Sequence, residues 1–251
     1  IRHAETVGAD GLLHDVVLRS ARATDTYILK GEGLETWRPR FMYTGFRYLQ
    51  VKGGTPAGKE NPSSKAIIED LKGLHIRNAA TTVGNFNSSN ELLNKTFNLI
   101  NWSVKSNMVS VFTDCPHREK LGWLEQLHLM GSSVSYNYDV APLFKKALQD
   151  MKNSQTAEGL IPEIAPEYVK FEWGGDMFRD SPEWGSSSIL LPYYLYKWYG
   201  DKQAMVDYYP MMQRYISYLK TKANKHILSQ GLGDWYDLGP NAPGVSQLTP
   251  M

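Results

Sequence analysis

The sequence contains a single cysteine, Cys115, among 251 residues. It can therefore form neither an internal disulfide nor a zinc site built from several cysteines. No apolar run approaches the roughly 20 residues that a membrane-spanning helix needs. Charge of neither sign prevails, since 27 lysines and arginines stand against 26 aspartates and glutamates. The basic stripe of a nucleic-acid-binding protein is absent. We expect a globular protein with no nucleic acid partner and no membrane insertion.

The ends of the sequence lack the usual marks of a complete chain. It begins at Ile1 without an initiator methionine or a signal peptide, and it stops at Met251 in a predicted loop. We interpret the chain as a piece of a longer protein, so its targeting cannot be read from it.

The first third of the sequence is typical of β-structure. Short β-rich runs lie at 16–19, 25–29 and 46–51, separated by clusters of glycine, proline and aspartate. This spacing predicts a β-sandwich domain over residues 1–84.

The hydrophobic period changes to a helical one near residue 88. The sequence SSNE at 88–91 has the form of a capping box. Apolar residues then recur at helical spacing from Leu92 to Ile100. Further helices are predicted at 120–136, at 141–155, at 186–199 with Gly200 as the residue after the helix, and from 202 onward.

The last predicted helix carries one apolar stripe, formed by Met205, Tyr209, Met212, Ile216 and Leu219. The helices of 85–251 have no short repeat, which argues against a solenoid and favours part of a helical toroid. Toroids of paired helices place their sites on the loops at one end. We therefore expect the chemistry on the loops at 109–119 and 156–184.

The richest segment for chemistry is TDCPHREKLGWLEQ at 113–126. Glycoside hydrolysis needs one carboxylic acid to protonate the leaving oxygen and a second carboxylate at the anomeric carbon or its water. Asp114 and Glu119 can face one pocket, with Arg118 lowering the pKa of one carboxylate and burial against Trp123 raising that of the other. Composition alone equally allows charges at a helix start beside a packed tryptophan.

The stretch DCPHREKLGW at 114–123 resembles the signature of the family 78 glycoside hydrolases, the bacterial α-L-rhamnosidases. Other segments are similar to that family in the same order. They are RHAE at 2–5, ATDTY at 23–27, WRPRF at 37–41, YTGFRY at 43–48, SPEWG at 181–185, YGD at 199–201 and GDW at 233–235.

The resemblance implies a β-sandwich followed by the N-terminal part of an (α/α)6 barrel. It also implies that Glu119 is the general acid, that Asp114 holds rhamnose hydroxyls, and that Arg118 tunes the acid or binds sugar. The implied aromatic lining of the rhamnose pocket comprises Trp123, Trp184 and Trp235. Because rhamnose is a 6-deoxy sugar, an apolar wall facing its methyl group is chemically sensible.

The sequence departs from the family pattern at two positions. Gln126 stands where the family has an aspartate three residues after Trp123, and the neighbouring Glu125 is an open candidate to supply that carboxylate. Ser186 stands where many relatives have an aspartate. Both departures concern substrate contacts more than the reaction.

The resemblance implies an inverting reaction whose base is a glutamate on a later helix pair, expected beyond Met251. Asp180 and Glu183 are therefore interpreted as pocket lining or helix caps. We expect the 251-residue chain alone to hydrolyse poorly or not at all.

No cofactor and no metal site are expected, and the partner is a rhamnose-containing oligosaccharide or glycoside. Two alternatives stay open: another (α/α)-toroid enzyme, such as a different exo-glycosidase or a sugar phosphorylase, and a catalytically inactive sugar-binding module. Sugar-scavenging relatives suggest a periplasmic or secreted location, with the cytoplasm also open.

Overall fold

The structure is a computed structural model that describes residues 1–171 and 175–233. Its N-terminal part contains six short strands: β1 (Arg2–Ala4), β2 (Thr6–Val7), β3 (Leu13–His14), β4 (Tyr48–Gln50), β5 (Gly54–Pro56) and β6 (Ala66–Ile68). Strands β1 and β4 pair antiparallel with His3 opposite Leu49. Strands β2 and β3 also pair antiparallel, and β5 and β6 pair in parallel.

Of the three predicted β-runs, only 46–51 contains a strand, β4. Residues Val16–Leu18 form a 3-10 turn instead. Residues 25–29 form no strand, and the Glu35 carboxylate accepts hydrogen bonds from the amides of Lys30 and Gly31, which follow directly.

In the described part of the chain, seven helices follow: α1 (Glu91–Asn107), α2 (Glu125–Leu129), α3 (Gly131–Ser135), α4 (Ala141–Ser154), α5 (Pro182–Gly185), α6 (Ser187–Tyr199) and α7 (Lys202–Lys222). A further 3-10 turn spans Gly175–Phe178. Helix α6 ends as predicted at Gly200, whose φ of 68° lies in the left-handed region that suits glycine. The helix predicted over 120–136 begins only at Glu125 and is divided at Met130.

The start of α1 differs from the predicted capping box. Asn90 is the N-cap, and its side chain accepts a hydrogen bond from the amide of Leu92. Ser88 instead pairs with the side chain of Asn94. The predicted apolar stripe is also not a core face in the described residues, since Leu92 is 70% exposed and Ile100 is 53% exposed.

The buried stripe of α7 is displaced by one residue from the predicted one. Tyr209 and Ile216 are exposed, whereas the buried residues are Ala204, Met211, Tyr215 and Tyr218. One residue corresponds to a rotation of about 100° around the helix. The two buried aromatic rings therefore decide which face of α7 meets the core.

The core lies between α4, α6 and α7, with α2 packed against α6. Its centre is formed by side chains with no more than 3% exposure, among them Phe144, Leu148, Leu191, Leu195 and Met211. Strands therefore precede helices, as predicted. No helix in the described ranges has the length and apolar character to cross a membrane.

We predict that Leu148→Ala lowers the free energy of unfolding by about 2–5 kcal/mol, because it leaves a cavity at a fully buried position. Urea denaturation measures this change. The control is Leu129→Ala, since Leu129 is 69% exposed. Equal effects of the two substitutions would contradict this assignment of the core.

Candidate active site

The acid loop, residues 114–121, carries the predicted acid Glu119 and is closed by the carboxylate of Asp114. Asp114 Oδ1 accepts a hydrogen bond from the amide of Leu121 at 3.0 Å, and Oδ2 accepts one from the Cys115 thiol at 2.8 Å. The Cys115 sulfur in turn accepts from the amide of Glu119 at 3.2 Å. The loop turns at Lys120, whose φ is 55°. Cys115 thus serves the loop as a buried hydrogen-bonding thiol.

The N-terminal part that contains strands β1 to β6, the β-part, also contacts the acid loop. The amide of Gly45 donates to the carbonyl of Pro116 at 2.8 Å, and Lys120 Nζ donates to the carbonyl of Tyr43 at 2.7 Å. A Cβ atom on Gly45 would lie 2.6 Å from the ring of Pro116, so only glycine fits this approach. The YTGF sequence at 43–46 therefore supports the acid loop.

Glu119 lies at the surface of this loop with its side chain one-third exposed. Its Oε1 atom is 3.8 Å from Arg118 Nε and 3.8 Å from Arg19 Nη1. Partial burial raises the pKa of Glu119, and the negative charge of Asp114 adds to the rise. The Trp123 indole N–H and the Arg118 guanidinium act in the opposite direction. Glu119 can therefore both hold a proton and reach a ligand.

Two of the predicted pocket tryptophans meet beside this loop. The Trp123 and Trp184 rings pack edge to face with centroids 6.4 Å apart. Phe171, which sequence reasoning missed, stacks on Trp123 at 5.6 Å with an interplanar angle of 5°. Phe178 packs against Phe171. Together these four rings form an aromatic wall; the predicted Trp235 lies outside the described residues.

Glu125 lies in the first turn of α2, close to Asp114 and to Trp184. Burial raises the pKa of its carboxyl to about 7, and the charge of Asp114 adds to the rise. The nearby Trp184 indole N–H lowers the pKa of Glu125. The indole nitrogen of Trp184 nevertheless makes no hydrogen bond of regular geometry. Gln126 is the next residue of α2 and is half-buried. Whether Glu125 replaces the family's aspartate stays a prediction.

The two acids on the neighbouring loop have different surroundings. Asp180 is 3% exposed, accepts a hydrogen bond from the Tyr218 hydroxyl and lies 3.4 Å from Lys222 Nζ. It thereby joins the start of α5 to α7. Glu183 is half-buried within α5, and burial raises the pKa of its carboxyl.

Glu163 is the acid that sequence reasoning missed. It is 1% exposed, and its Oε1 accepts a hydrogen bond from the Ser181 amide at 2.9 Å. Burial raises the pKa of Glu163 to about 8, and the charges of Glu125 and Glu183 contribute. The available signal was a single acid inside the apolar run LIPEIA at 160–165.

Two surface cavities have volumes of about 310 and 470 Å³. The smaller borders the acid loop at Pro116 and His117 and extends to Glu5 and the end of α1. Neither is lined by Glu119 or by the tryptophans, so side-chain contacts define the candidate site. Across residues 1–171 and 175–233, no three histidine, cysteine or acidic side chains are placed to hold a metal ion.

Comparison with known protein families shows to which class of protein the chain belongs. Residues 81–249 match the bacterial α-L-rhamnosidase six-hairpin glycosidase domain, and residues 1–76 match the bacterial α-L-rhamnosidase concanavalin-like domain. These domains are those of a glycoside hydrolase with a β-part followed by helical hairpins. The chain belongs to the bacterial α-L-rhamnosidase family. The predicted fold class is thereby confirmed, whereas the boundary at residue 84 stays a prediction.

Individual relatives are α-L-rhamnosidases as well. An α-L-rhamnosidase of Streptomyces avermitilis is 34% identical over 97% of this chain, and one of Formosa agariphila is 33% identical over 83%. The crystal structure of the Streptomyces avermitilis α-L-rhamnosidase complexed with L-rhamnose matches 99% of the chain, with a TM-score of 0.78 and 33% identity. The Dictyoglumus thermophilum α-L-rhamnosidase structure matches 97%, with a TM-score of 0.79 and 33% identity.

The chain spans only part of these proteins. It covers 22% of the length of both sequence relatives, and 22% and 26% of the two solved chains.

We predict opposite pKa changes at Glu119 from two substitutions beside it. Asp114→Asn removes a negative neighbour and lowers the pKa of Glu119, whereas Arg118→Gln removes a positive neighbour and raises it. Carboxyl-carbon NMR titration of Glu119 measures both. Shifts of the same sign would contradict the assigned electrostatics.

Proposed function

We propose that this chain supplies the general-acid side of an enzyme that removes terminal α-L-rhamnose from glycosides. The observation that carries the proposal is the setting of Glu119: a partly exposed carboxyl group with a raised pKa, beside Asp114 and the Trp123 indole. A general acid must hold its proton near the working pH and still reach the substrate.

In the proposed reaction, the glycosidic C–O bond breaks while the Glu119 proton passes to the departing oxygen. A water molecule attacks the anomeric carbon from the opposite face, and its proton passes to a base. Inverting enzymes separate the two carboxyl groups by about 6.5–9.5 Å to admit that water. We place the base in a part of the catalytic domain that this chain does not contain, and we assign none of its residues to that role.

The sugar contacts follow from the chemistry of the surrounding groups. Asp114 and Arg118 are suited to the hydroxyls, since a carboxylate accepts and a guanidinium donates hydrogen bonds. The aromatic wall is suited to the methyl group and the C–H face of the ring. Glu125 is our candidate for the carboxylate that the family pattern has at position 126. The Streptomyces avermitilis relative, crystallised with L-rhamnose, supports this ligand.

Substitution of the proposed acid tests the proposal in the full-length protein. We expect Glu119→Gln to lower turnover of p-nitrophenyl α-L-rhamnoside by at least about 10²-fold without loss of folding. The control is Glu158→Gln, an exposed glutamate on the 156–171 loop. Turnover of Glu119→Gln close to that of the unsubstituted protein would move the acid role elsewhere.

We also expect the 251-residue chain alone to show severely reduced turnover or none, because it lacks the proposed base. Near-normal turnover of the isolated chain would contradict this expectation. A screen of other nitrophenyl glycosides tests for a different toroid exo-glycosidase. Rhamnose binding in calorimetry without hydrolysis by the full-length protein would instead indicate a sugar-binding module. A periplasmic or secreted location stays a proposal, tested by cell fractionation.

A further inference from the structure

Glu163 is joined to both segments that carry the pocket tryptophans. Its backbone carbonyl accepts a hydrogen bond from the amide of Leu124 at 2.8 Å, directly after Trp123. Its carboxyl oxygen Oε1 accepts from the amide of Ser181 at 2.9 Å, three residues before Trp184. Of these two links, only the second depends on the side chain. The Glu163 side chain therefore helps to position the Trp184 segment relative to the Trp123 segment, together with the Ser187 hydroxyl, which donates to the carbonyl of Leu124.

The Ser181 end of this link is itself fixed. Ser181 Oγ accepts a hydrogen bond from the amide of Leu232 and donates one to the carbonyl of Met177. Ser181 is 2% exposed, so water does not substitute for these bonds. A change at the Glu163 carboxyl group is therefore transmitted to α5 and its Trp184.

Glu163 has two acidic neighbours, Glu125 and Glu183. Oε2 of Glu163, Oε2 of Glu125 and Oε2 of Glu183 are all buried without a hydrogen-bond partner in the described part of the chain. Groups from three elements surround Glu163: Glu125 of α2, Glu183 of α5 and Tyr215 of α7.

Asp180 and Tyr218 also lie near Tyr215, and Lys222 pairs with Asp180. Among the ion pairs formed by described residues, none involves Glu125, Glu163 or Glu183. Burying several unneutralised carboxylates together is strongly unfavourable, so such a cluster retains protons.

We propose that Glu163 is a positioning residue of the active site, whose protonated carboxyl group holds Ser181 beside the buried carboxyl groups of Glu125 and Glu183. Its catalytic consequence rests on the proposed function, but its structural role does not. The raised pKa values of about 8 for Glu163 and about 7 for Glu125 agree with a resident proton.

The stability of the folded chain depends on pH because Glu163 has different pKa values in the folded and unfolded states. The ordinary pKa of a glutamate is 4.5, and in the folded chain that of Glu163 is about 8. The folded state therefore binds the proton more tightly. The stabilisation of the folded state by this proton is fully present below about pH 4.5 and is lost as the pH rises toward 8. Above about pH 8 the stability no longer changes with the ionisation of Glu163.

The test compares Glu163→Gln and Glu163→Ala in the full-length protein, with Glu158→Gln as the control. Glutamine keeps an acceptor for Ser181 and a donor in place of the carboxyl O–H, but it cannot ionise. We expect the Tm of Glu163→Gln relative to the unsubstituted protein to increase steadily between pH 5 and pH 8. We expect Glu158→Gln to show no such trend.

Catalysis and tryptophan geometry give the second readout. We expect Glu163→Gln to keep kcat at pH 5.5 within about twofold and to extend activity to higher pH. We expect Glu163→Ala to lower kcat at least about tenfold and to lose the near-UV circular dichroism that Trp184→Phe also removes.

Two results would overturn the proposal. One is a Tm difference for Glu163→Gln that stays constant from pH 5 to pH 8, which would mean that no proton resides there. The other is a Glu163→Ala variant with unchanged circular dichroism and kcat. If Glu163→Ala does not fold, the pH trend of Glu163→Gln decides. If the unsubstituted protein fails to hydrolyse the rhamnoside, the proposed function falls, while the Tm and dichroism measurements still decide the role of Glu163.

Discussion

The site depends on the backbone pairing between the segment after the acid loop and the buried run at 160–165. Trp123 pairs antiparallel with Ile164, and the amide of Leu124 donates to the carbonyl of Glu163. This pairing fixes where α2 begins and in which direction Trp123 points. The acid loop precedes it directly, so the position of Glu119 is set by a contact between segments about 40 residues apart in the sequence.

Three glutamates near this pairing differ in burial, and the difference separates their chemistry. Glu119 is one-third exposed and lies near two arginines, which suits a group that exchanges its proton with a ligand. Glu163 is 1% exposed and faces other acids, which suits a group that keeps its proton. The carboxyl of Glu125 has a pKa raised to about 7, chiefly by burial. The three carboxyl groups thus differ in burial and in their charged neighbours.

The β-part is more than a neighbour of the helices. Gly45 approaches Pro116 so closely that no other residue fits, and Arg19 comes within 3.8 Å of the Glu119 carboxyl. Both contacts reach the loop that carries the proposed acid. The regions that match a concanavalin-like domain and a six-hairpin domain therefore contact each other at the loop of the proposed acid.

The sequence alone determined the order of the two parts, the approximate helices α4 and α6, and the family, and it suggested a first set of site residues. Local signals suffice for these, because caps, glycines and the DCPHREKLGW motif are read from neighbouring positions. The buried face of α7 and the surroundings of Glu163 and Phe171 were decided only by the tertiary structure. Each depends on groups distant in sequence: Tyr215 and Tyr218 of α7 pack into the core, Phe171 stacks on Trp123, and Glu163 acquires its pKa from buried neighbours that no local pattern identifies.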